Sequence, residues 1–333
     1  MEDSKYIKRC IEIAKRGLGN AAPNPAVGCV IVYDNKIIGE GYTSAYGGAH
    51  AEVNAISSVA NKNLLAQSTL YVTLEPCCHH GKTPPCTDLI IKHKIPKVVI
   101  GCLDTNKKVS GKGIEALKLA GCEVVVGHCE TLCLEHHRRF FSFHNKKRPY
   151  IILKWAETKN GFIAPTEKTT QRPVWISSDE SRQLVHQWRS EEHAILVGGN
   201  TVLEDNPSLT TRRVSGRNPI RIVIDTKDNL QKSHNVFNDE AKTIVLSSKH
   251  FNSQKHIAQQ ICNHLYKLNI LSVIVEGGQK ILQHFIDENL WDEMRVFKGN
   301  IEFKDGIKGP SHTLKHQLIK RIVNDELLLF KNV

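Results

Sequence analysis

The chain has no apolar run long enough to cross a membrane, and its first residues, Met-Glu-Asp-Ser-Lys, do not look like a signal peptide. Cysteine is nearly missing from the second half, because nine of the ten cysteines lie before residue 134. A secreted protein would place such cysteines in disulfides, so without a signal peptide we expect reduced thiols and a cytoplasmic location. Seven of them are expected to be small core residues, namely Cys10, Cys29, Cys102, Cys122, Cys129, Cys133 and Cys262.

An arginine-rich arm is also missing, although Lys and Arg exceed Asp and Glu by 11, with 45 against 34. The positive charges are dispersed, and their densest cluster, over 136–148, falls where we predict a junction between domains. A basic balance suits a phosphorylated substrate and a dinucleotide as well as nucleic acid. We therefore expect a small-molecule substrate, with no nucleic-acid partner and no membrane partner.

Two segments combine metal ligands with an acid–base group. The first is His50-Ala51-Glu52, and the second is Pro76-Cys77, followed after eight residues by Cys86. One imidazole and two thiolates provide the three protein ligands typical of catalytic zinc, with a fourth position open to water. Zinc deaminases carry His-x-Glu followed by Pro-Cys-x-x-Cys, with the glutamate as a base that does not bind the metal. The pattern predicts zinc held by His50, Cys77 and Cys86, with Glu52 as the catalytic base.

Other candidate ligands lie in the same loop, namely Cys78, His79 and His80. Because successive residues point in different directions, Cys77 and Cys78 can hardly face one ion together. A closed structural zinc site would need a fourth protein ligand from this loop and would leave Glu52 without a purpose.

A helix is predicted from Pro84, with Thr83 as its N-cap and both Pro84 and Pro85 in its first turn. Cys86 would then lie at the positive end of this helix, where a thiolate is favoured.

Strands and helices alternate along the first 147 residues, which predicts a central sheet with helices on both faces. Helices are predicted over 6–17, 49–60, 84–94, 113–120 and 130–144, and strands over 27–32, 36–41, 68–75, 97–102 and 122–126. We place a boundary near residue 147, so that the domains are 1–147 and 148–333.

The second domain alternates in the same way. Strands are predicted over 150–156, 193–198, 219–225, 242–247 and 271–276, helices over 178–190, 253–267 and 279–288, and a final hairpin between 292–296 and 319–331. The pairs Gly198-Gly199 and Gly277-Gly278 each follow a strand and precede a helix, which suits phosphate or pyrophosphate. Neither pair forms a Gly-x-Gly-x-x-Gly fingerprint, so a Rossmann domain is not indicated.

Eight residues separate Cys77 from Cys86, where the zinc-deaminase pattern has two. With this spacing, and with Cys86 inside Gly-Lys-Thr-Pro-Pro-Cys, the motif resembles the deaminase half of the bifunctional riboflavin-biosynthesis deaminase/reductases. The segments 194–212, 221–226 and 275–278 are similar to the reductase half of the same family. The resemblance covers nearly the whole chain. It implies an α/β protein in which a cytidine-deaminase-like α-β-α sandwich precedes a dihydrofolate-reductase-like α/β domain.

The activity that the resemblance implies is two consecutive steps of riboflavin synthesis. Zinc-dependent deamination of 2,5-diamino-6-(5-phosphoribosylamino)pyrimidin-4-one, with Glu52 carrying the proton, precedes an NADPH-dependent step. That step reduces the ribosyl group of 5-amino-6-(5-phosphoribosylamino)uracil to ribityl. We also expect a homo-oligomer, either a dimer or a tetramer.

The resemblance also assigns residues to the two ligands. Substrate-binding residues are Asn24, Lys82, Asp104, Arg189, Leu209, Arg212 and Glu276, and NADPH-binding residues are Ala156, Trp175, Thr201, Asp205, Thr226, Gly277 and Gly278. Two arginines suit a ribose phosphate, which they can hold through charge-assisted hydrogen bonds. The chain departs from the family at Thr43, where many relatives have a substrate-binding histidine, at Asn160 and at Pro173.

Two alternatives remain at this point. A nucleic-acid or nucleoside deaminase with an accessory binding domain would explain the basic charge, but neither Gly-Lys-Thr-Pro-Pro-Cys nor the glycine pairs. A member of the same family with one inactive half would explain the departures.

Overall fold

The computed structural model describes residues 2–80, 84–105, 111–168, 171–253 and 255–332. The chain divides into two units, Met1–Lys147 and Arg148–Val333. Within the described ranges, no helix combines the length and the apolar character that crossing a bilayer requires.

A sheet of five strands, in the order β2-β1-β3-β4-β5, organises the described part of the first unit. Its strands are β1 Gly28–Tyr33, β2 Lys36–Tyr42, β3 Thr69–Leu74, β4 Lys97–Cys102 and β5 Glu123–Val126, and the helices are α1 Glu2–Ala14, α2 Ala51–Ser58, α3 Cys86–Lys92, α4 Lys112–Leu119 and α5 Glu130–Lys146. The strand β1 is antiparallel to β2 and β3, whereas β3, β4 and β5 run parallel. Asp34 and Asn35 both have positive φ, at 46° and 58°, which suits a tight hairpin turn between β1 and β2.

Close packing of α2 on β2 fixes the helix that follows His50. A Cβ at Gly41 would lie 2.3 Å from the Ala55 nitrogen and 2.4 Å from the Ala51 oxygen. Only glycine therefore allows the backbone of β2 to approach the helix at this point. Ala51, Ala55 and Ile56 of the same helix are buried in the core of the unit. These contacts hold the start of α2 against the sheet.

A larger sheet, in the order β10-β9-β8-β11-β6-β12-β15-β14, organises the described part of the second unit. The strands are β6 Tyr150–Glu157, β7 Phe162–Ala164, β8 Ala194–Gly198, β9 Ile220–Asp225, β10 Thr243–Ser247, β11 Ser272–Gly277, β12 Glu293–Lys298, β13 Ile307–Lys308, β14 Leu318–Ile322 and β15 Asp325–Lys331; β7 and β13 pair separately. The helices are α6 Asp179–Glu191, α7 Gly199–Asp205, α8 Ile257–Lys267 and α9 Gln279–Asp287. From β10 to β12 neighbouring strands are parallel, and β15 is antiparallel to both β12 and β14.

Side chains of β6 alternate between two layers of core. Ile151, Leu153 and Trp155 pack with residues of α8 and α9, whereas Tyr150 and Ile152 pack with residues of α6. All four tryptophans of the chain lie in this unit, at positions 155, 175, 188 and 291. Both faces of the central strand are thus covered, as expected for a mostly parallel sheet.

The prediction for the start of α3 is wrong. Pro85 lies at the N-cap position with a ψ of 140°, and the helix begins at Cys86. A proline disfavours the helical conformation in the residue before it, so Pro84 cannot be helical ahead of Pro85. Cys86 is therefore the first helical residue, and the predicted cap, Thr83, lies outside the described residues.

Two further predictions need correction. The stretch 319–331 is not a single strand, because a turn at Val323 and Asn324 divides it into β14 and β15, and only β15 pairs with β12. Cys122 and Cys129 are half-buried rather than core residues, whereas Cys10, Cys29, Cys102, Cys133 and Cys262 are buried as predicted.

Candidate functional site

Three candidate metal ligands converge at the first turns of α2 and α3. His50 is the N-cap residue of α2, Cys86 is the first residue of α3, and Cys77 follows β3 by three residues. The His50 Nδ1 atom lies 3.5 Å from Cys77 Sγ and 3.3 Å from Cys86 Sγ. Tetrahedral zinc, with bonds of about 2.0–2.1 Å to nitrogen and 2.3 Å to sulfur, requires such atoms to lie about 3.6 Å apart. The donor set and its spacing fit zinc.

The two thiols are electrostatically different. The thiol of Cys86, the ring of His50 and the backbone N–H of Cys86 act on Cys77 Sγ, and they lower the pKa of Cys77. The hydrogen bond to Cys77 and burial raise the pKa of Cys86. These contacts favour a thiolate at Cys77, and binding of a metal ion would displace the proton from Cys86 as well.

Glu52 lies in the first turn of α2, only 4 % exposed. Burial, followed by the charge of Cys77, raises the pKa of Glu52 to about 7. A carboxyl group with a pKa close to neutrality can both accept and release a proton under physiological conditions. The structure thus places a suitable acid–base group within two residues of His50.

The alternative ligands of the loop are arranged differently. Among the described residues, His50, Cys77 and Cys86 form the one group of three or more potential ligand atoms lying within 4.8 Å of one another. Cys78 is half-buried outside this group, while His79 and His80 are exposed. Burial and the charge of Glu75 raise the pKa of Cys78, which opposes formation of a thiolate there.

Thr43 has a backbone-binding role in this chain. Its side chain is 3 % exposed, and its Oγ1 accepts a hydrogen bond of 3.0 Å from the N–H of Val27. The N–H of Thr43 donates in turn to the carbonyl of Val27, also at 3.0 Å. The Thr43 hydroxyl therefore holds the backbone at Val27, three residues after Asn24.

Two other predicted substrate residues of the first unit, Asn24 and Asp104, lie in loops. The N–H of Asn24 donates to the Ala21 carbonyl at 2.9 Å. Asp104 is 6 % exposed, and its N–H donates to a carboxylate oxygen of Glu75 at 3.3 Å. Lys82 lies outside the described residues. Sequence reasoning missed Glu75, although a charged residue at the end of a buried strand, before Pro-Cys, was a usable signal.

In the second unit, an ion pair joins two of the predicted substrate residues. Arg189 Nε donates to Glu276 Oε1 at 3.1 Å, and its Nη2 donates to Oε2 at 2.8 Å. Arg189 Nη1 donates to the Thr210 carbonyl at 3.3 Å. Burial alone would raise the pKa of Glu276, but the charges of Arg189 and Lys154 hold it at about 2. Glu276 is therefore ionised throughout the physiological range.

Two further residues join this cluster without having been predicted. Lys154 is a single cation in the otherwise apolar strand β6, and burial lowers its pKa although Glu276 opposes the shift. His186 Nδ1 accepts the backbone N–H of Arg212 at 3.1 Å, and burial followed by the charge of Arg189 lowers the pKa of His186 to about 4. The lone lysine in an apolar strand was the available signal, whereas the histidine gave none.

Arg212 completes the cluster through Thr210, whose Oγ1 accepts from Arg212 Nη1 at 3.2 Å. Burial, then the charge of Arg189, lowers the pKa of Arg212. Leu209, which precedes Thr210, is buried and has a φ of +54°. The structure therefore brings Arg189, Arg212 and Glu276 together around the 209–210 segment.

The predicted NADPH residues form smaller groups. A Cβ at Gly278 would lie 3.2 Å from Thr201 Oγ1, and Gly278 is the N-cap of α9 without a side-chain cap. The hydroxyl of Thr201 and the free N–H groups of α9 therefore fit a pyrophosphate. Asp205 forms an ion pair with Lys168.

The remaining predicted NADPH residues are placed as follows. Trp175 is 56 % exposed, with the Arg182 guanidinium 4.6 Å from its ring centroid. Thr226 is exposed after β9, and Ala156 is half-buried on β6. No described contact joins these three to one another.

Comparisons with known proteins agree with this geometry. Residues 1–102 match the cytidine and deoxycytidylate deaminase zinc-binding region, and residues 149–300 match the RibD C-terminal domain. Riboflavin biosynthesis protein RibD of Aquifex aeolicus is 41 % identical over 311 residues, covering 89 % of this chain and 86 % of that protein. RibD of Escherichia coli is 37 % identical over 327 residues, covering 89 % and 87 %.

Solved structures extend the match to the fold. The diaminohydroxyphosphoribosylaminopyrimidine deaminase/5-amino-6-(5-phosphoribosylamino)uracil reductase of Thermotoga maritima has a TM-score of 0.90 and 38 % identity, covering 100 % of this chain and 99 % of that one. RibD of Acinetobacter baumannii has a TM-score of 0.87 and 30 % identity, covering 99 % and 98 %. The chain therefore belongs to the RibD family of bifunctional riboflavin-biosynthesis enzymes, in which a zinc-dependent, cytidine-deaminase-like region precedes an NADPH-dependent reductase domain.

Proposed function

We propose that the first unit deaminates 2,5-diamino-6-(5-phosphoribosylamino)pyrimidin-4-one, and that the second reduces the ribosyl group of 5-amino-6-(5-phosphoribosylamino)uracil to ribityl. The observation that carries the proposal is the convergence of His50 Nδ1 and the sulfurs of Cys77 and Cys86 beside a buried carboxyl group. Both reactions appear in the name of the Thermotoga maritima protein, which resembles this chain over its full length.

In the deamination, His50, Cys77 and Cys86 would hold zinc. Zinc bound there supplies Lewis-acid activation of a water molecule. Glu52 takes a proton from the attacking water and delivers it to the amino group that leaves the pyrimidine, so the products are the uracil and ammonia. A pKa of about 7 suits both transfers. Asn24, Lys82 and Asp104 bind the pyrimidine ribotide.

In the reduction, bound NADPH would supply a hydride to C1 of the open-chain ribosyl group, and the nitrogen attached to C1 takes up a proton. Arg189 acts by holding Glu276, because its Nε and Nη2 already donate to that carboxylate. Arg212 donates to a neutral hydroxyl and carries a charge disfavoured by burial and by Arg189. A phosphate would relieve both penalties, so Arg212 is our phosphate-binding arginine. Thr201, Asp205, Thr226, Ala156, Trp175, Gly277 and Gly278 bind NADPH.

The direct test is incubation of the purified, zinc-loaded chain with the diaminopyrimidine ribotide, with and without NADPH. We expect ammonia in both reactions and NADPH oxidation only in the second. Glu52→Gln is the control, since with the diamino substrate it should release ammonia, and therefore oxidise NADPH, at least about a hundredfold more slowly than the parent. A zinc-loaded parent that releases no ammonia would contradict the proposal.

The division near residue 147 is part of the same proposal, with 1–147 as deaminase and 148–333 as reductase. We also propose a cytoplasmic location and a homo-oligomer. The ten cysteines, all within the described residues, are free thiols, which supports a reducing compartment. Light scattering of the purified chain would decide between a monomer and a dimer or tetramer.

A further inference from the structure

Glu75 ties together parts of the first unit that are far apart in sequence. Its side chain is buried, with 4 % exposure, and its backbone N–H donates to the Cys102 carbonyl. Its Oε2 accepts from the N–H of Asp104 at 3.3 Å and of Gly111 at 3.0 Å, while Oε1 accepts from the N–H of Gly113 at 3.0 Å. Both ends of the segment 104–111 are thus bound to one carboxylate oxygen.

Glu75 and the start of α4 also lie next to the segment that contains the metal ligand Cys77. Glu75 is two residues before Cys77, and a Cβ at Gly113 would lie 2.3 Å from the Pro76 carbonyl oxygen. The start of α4 is therefore in backbone contact with the segment that delivers Cys77. Gly111, the N-cap of α4, provides no side-chain cap, so the Glu75 carboxylate supplies acceptors for this helix start.

We propose that Glu75 is a positioning residue for deamination, which fixes Asp104 relative to Cys77 so that the pyrimidine meets the metal in a reactive orientation. The inference rests on the proposed function, because it takes Asp104 as a substrate-binding residue. A displacement of about 1 Å in a bound substrate can cost about a hundredfold in rate. The Glu75 carboxylate accepts hydrogen bonds on both oxygens, from Asp104 as well as from the start of α4. It therefore restricts movement of Asp104 more than a side chain that caps only one helix would.

The principal variant is Glu75→Gln, which keeps the volume but turns one acceptor oxygen into a donor. At least one of the three N–H groups then loses its acceptor, since two donors cannot bond to each other. We expect kcat/KM for ammonia release from the diaminopyrimidine ribotide to fall about ten- to a hundredfold. Zinc stoichiometry and NADPH oxidation with the deaminated ribotide should remain at the parental level.

A double-mutant cycle separates positioning from general support of the fold. If Glu75 acts through Asp104, then Glu75→Gln combined with Asp104→Asn should lose no more than about twofold beyond the larger single effect. Independent, multiplying losses would overturn the inference. Loss of zinc in Glu75→Gln would also overturn it, because Glu75 would then support the metal ligands rather than the substrate.

A second variant approaches the same contact from α4. Gly113→Ala places a Cβ against the Pro76 carbonyl and 3.2 Å from Glu75 Oε1, so it should reproduce the loss with zinc retained. If Glu75→Gln does not fold, Gly113→Ala provides the test.

Glu115→Gln, in the exposed part of the same helix turn, is the matched control and should behave as the parent. A parent inactive on the ribotide would refute the proposed function, whereas an active parent with a fully active Glu75→Gln would refute this inference alone.

Discussion

At the scale of single residues, the zinc ligands provide the clearest prediction. Cys77→Ser and Cys86→Ser should each lose stoichiometric zinc, because each removes one of three converging donors. Cys78→Ser should keep zinc, since Cys78 lies outside the group. Metal analysis of the three purified variants decides the ligand set, and a zinc-free Cys78→Ser protein would show that it is wrong.

Glu52 is predicted to act in proton transfer and not in metal binding. Glu52→Gln should retain zinc and lose about 10²–10⁴-fold in ammonia release, because an amide cannot relay protons. Single-turnover release of ammonia from the diaminopyrimidine ribotide measures the effect. A rate within a few-fold of the parent would mean that another group is the base.

The Arg189–Glu276 ion pair should make the free energy of unfolding depend on pH in the acidic range. The folded pKa of Glu276 is held at about 2, below the usual 4.5, so the folded state binds fewer protons than the unfolded state. The carboxylate therefore contributes stability fully above pH 4.5, and this contribution, about 3 kcal/mol, is lost as the pH falls towards 2. Urea midpoints from circular dichroism should show the gap between parent and Glu276→Gln shrinking from pH 5 to pH 3. A constant gap would contradict this assignment.

How far single residues could be predicted depends on the range of the interaction. That His50, Cys77 and Cys86 lie close together was predictable, because these residue types occur in two short motifs typical of zinc sites. The hydrogen-bond partners of Thr43, Glu75 and His186 were not predictable, since they are backbone groups that lie 16, 29–38 and 26 positions away. A backbone N–H is present at almost every position, so the sequence does not indicate which N–H a side chain will bind.

At the scale of elements, the short helix α2 depends on a cation beyond its end. Lys62 Nζ donates to the carbonyls of Ile56 at 2.7 Å and Ser57 at 2.8 Å, and the Ile56 carbonyl also accepts from the N–H of Val59 at 3.3 Å. Lys62→Met should destabilise the first unit by about 0.5–1 kcal/mol, because it removes hydrogen bonds from a cation to the last carbonyls of the helix. Urea unfolding of the zinc-loaded chain measures this change.

The matched control for Lys62 is Lys92→Met, which removes an exposed lysine from the last turn of α3. It should shift the midpoint less, and equal shifts would show that only net charge matters. Zinc content should be unchanged in both variants.

Element positions were largely predictable because buried parallel strands such as β8 and β9 are short, mostly apolar runs between turns. The errors have specific causes. The turn between β14 and β15 contains Val323 with a φ of +52° and no glycine or proline, so the usual signal was missing. At α3, Thr83 and the two prolines after it predicted a helix from Pro84. Because Pro85 disfavours the helical conformation in the residue before it, the helix begins only at Cys86.

At the scale of the whole molecule, the two activities should be separable. Glu52→Gln should oxidise NADPH at the parental rate when given 5-amino-6-(5-phosphoribosylamino)uracil, because hydride transfer needs neither zinc nor Glu52. Asp205→Ala, which breaks the ion pair with Lys168, should impair NADPH oxidation while ammonia release continues. Steady-state assays of both half-reactions on both variants test this independence. Loss of both activities in folded, zinc-loaded Glu52→Gln would mean that the halves are coupled.

The uneven distribution of tryptophan and cysteine gives each unit its own reporter. All four tryptophans lie after residue 147 and nine of the ten cysteines before it. Intrinsic tryptophan fluorescence therefore follows the second unit, and the labelling rate of the buried thiols Cys10, Cys29, Cys102 and Cys133 follows the first. Once the labelling of Cys262, the single cysteine of the second unit, is identified separately, one denaturant titration of the intact chain can resolve two unfolding events without truncation.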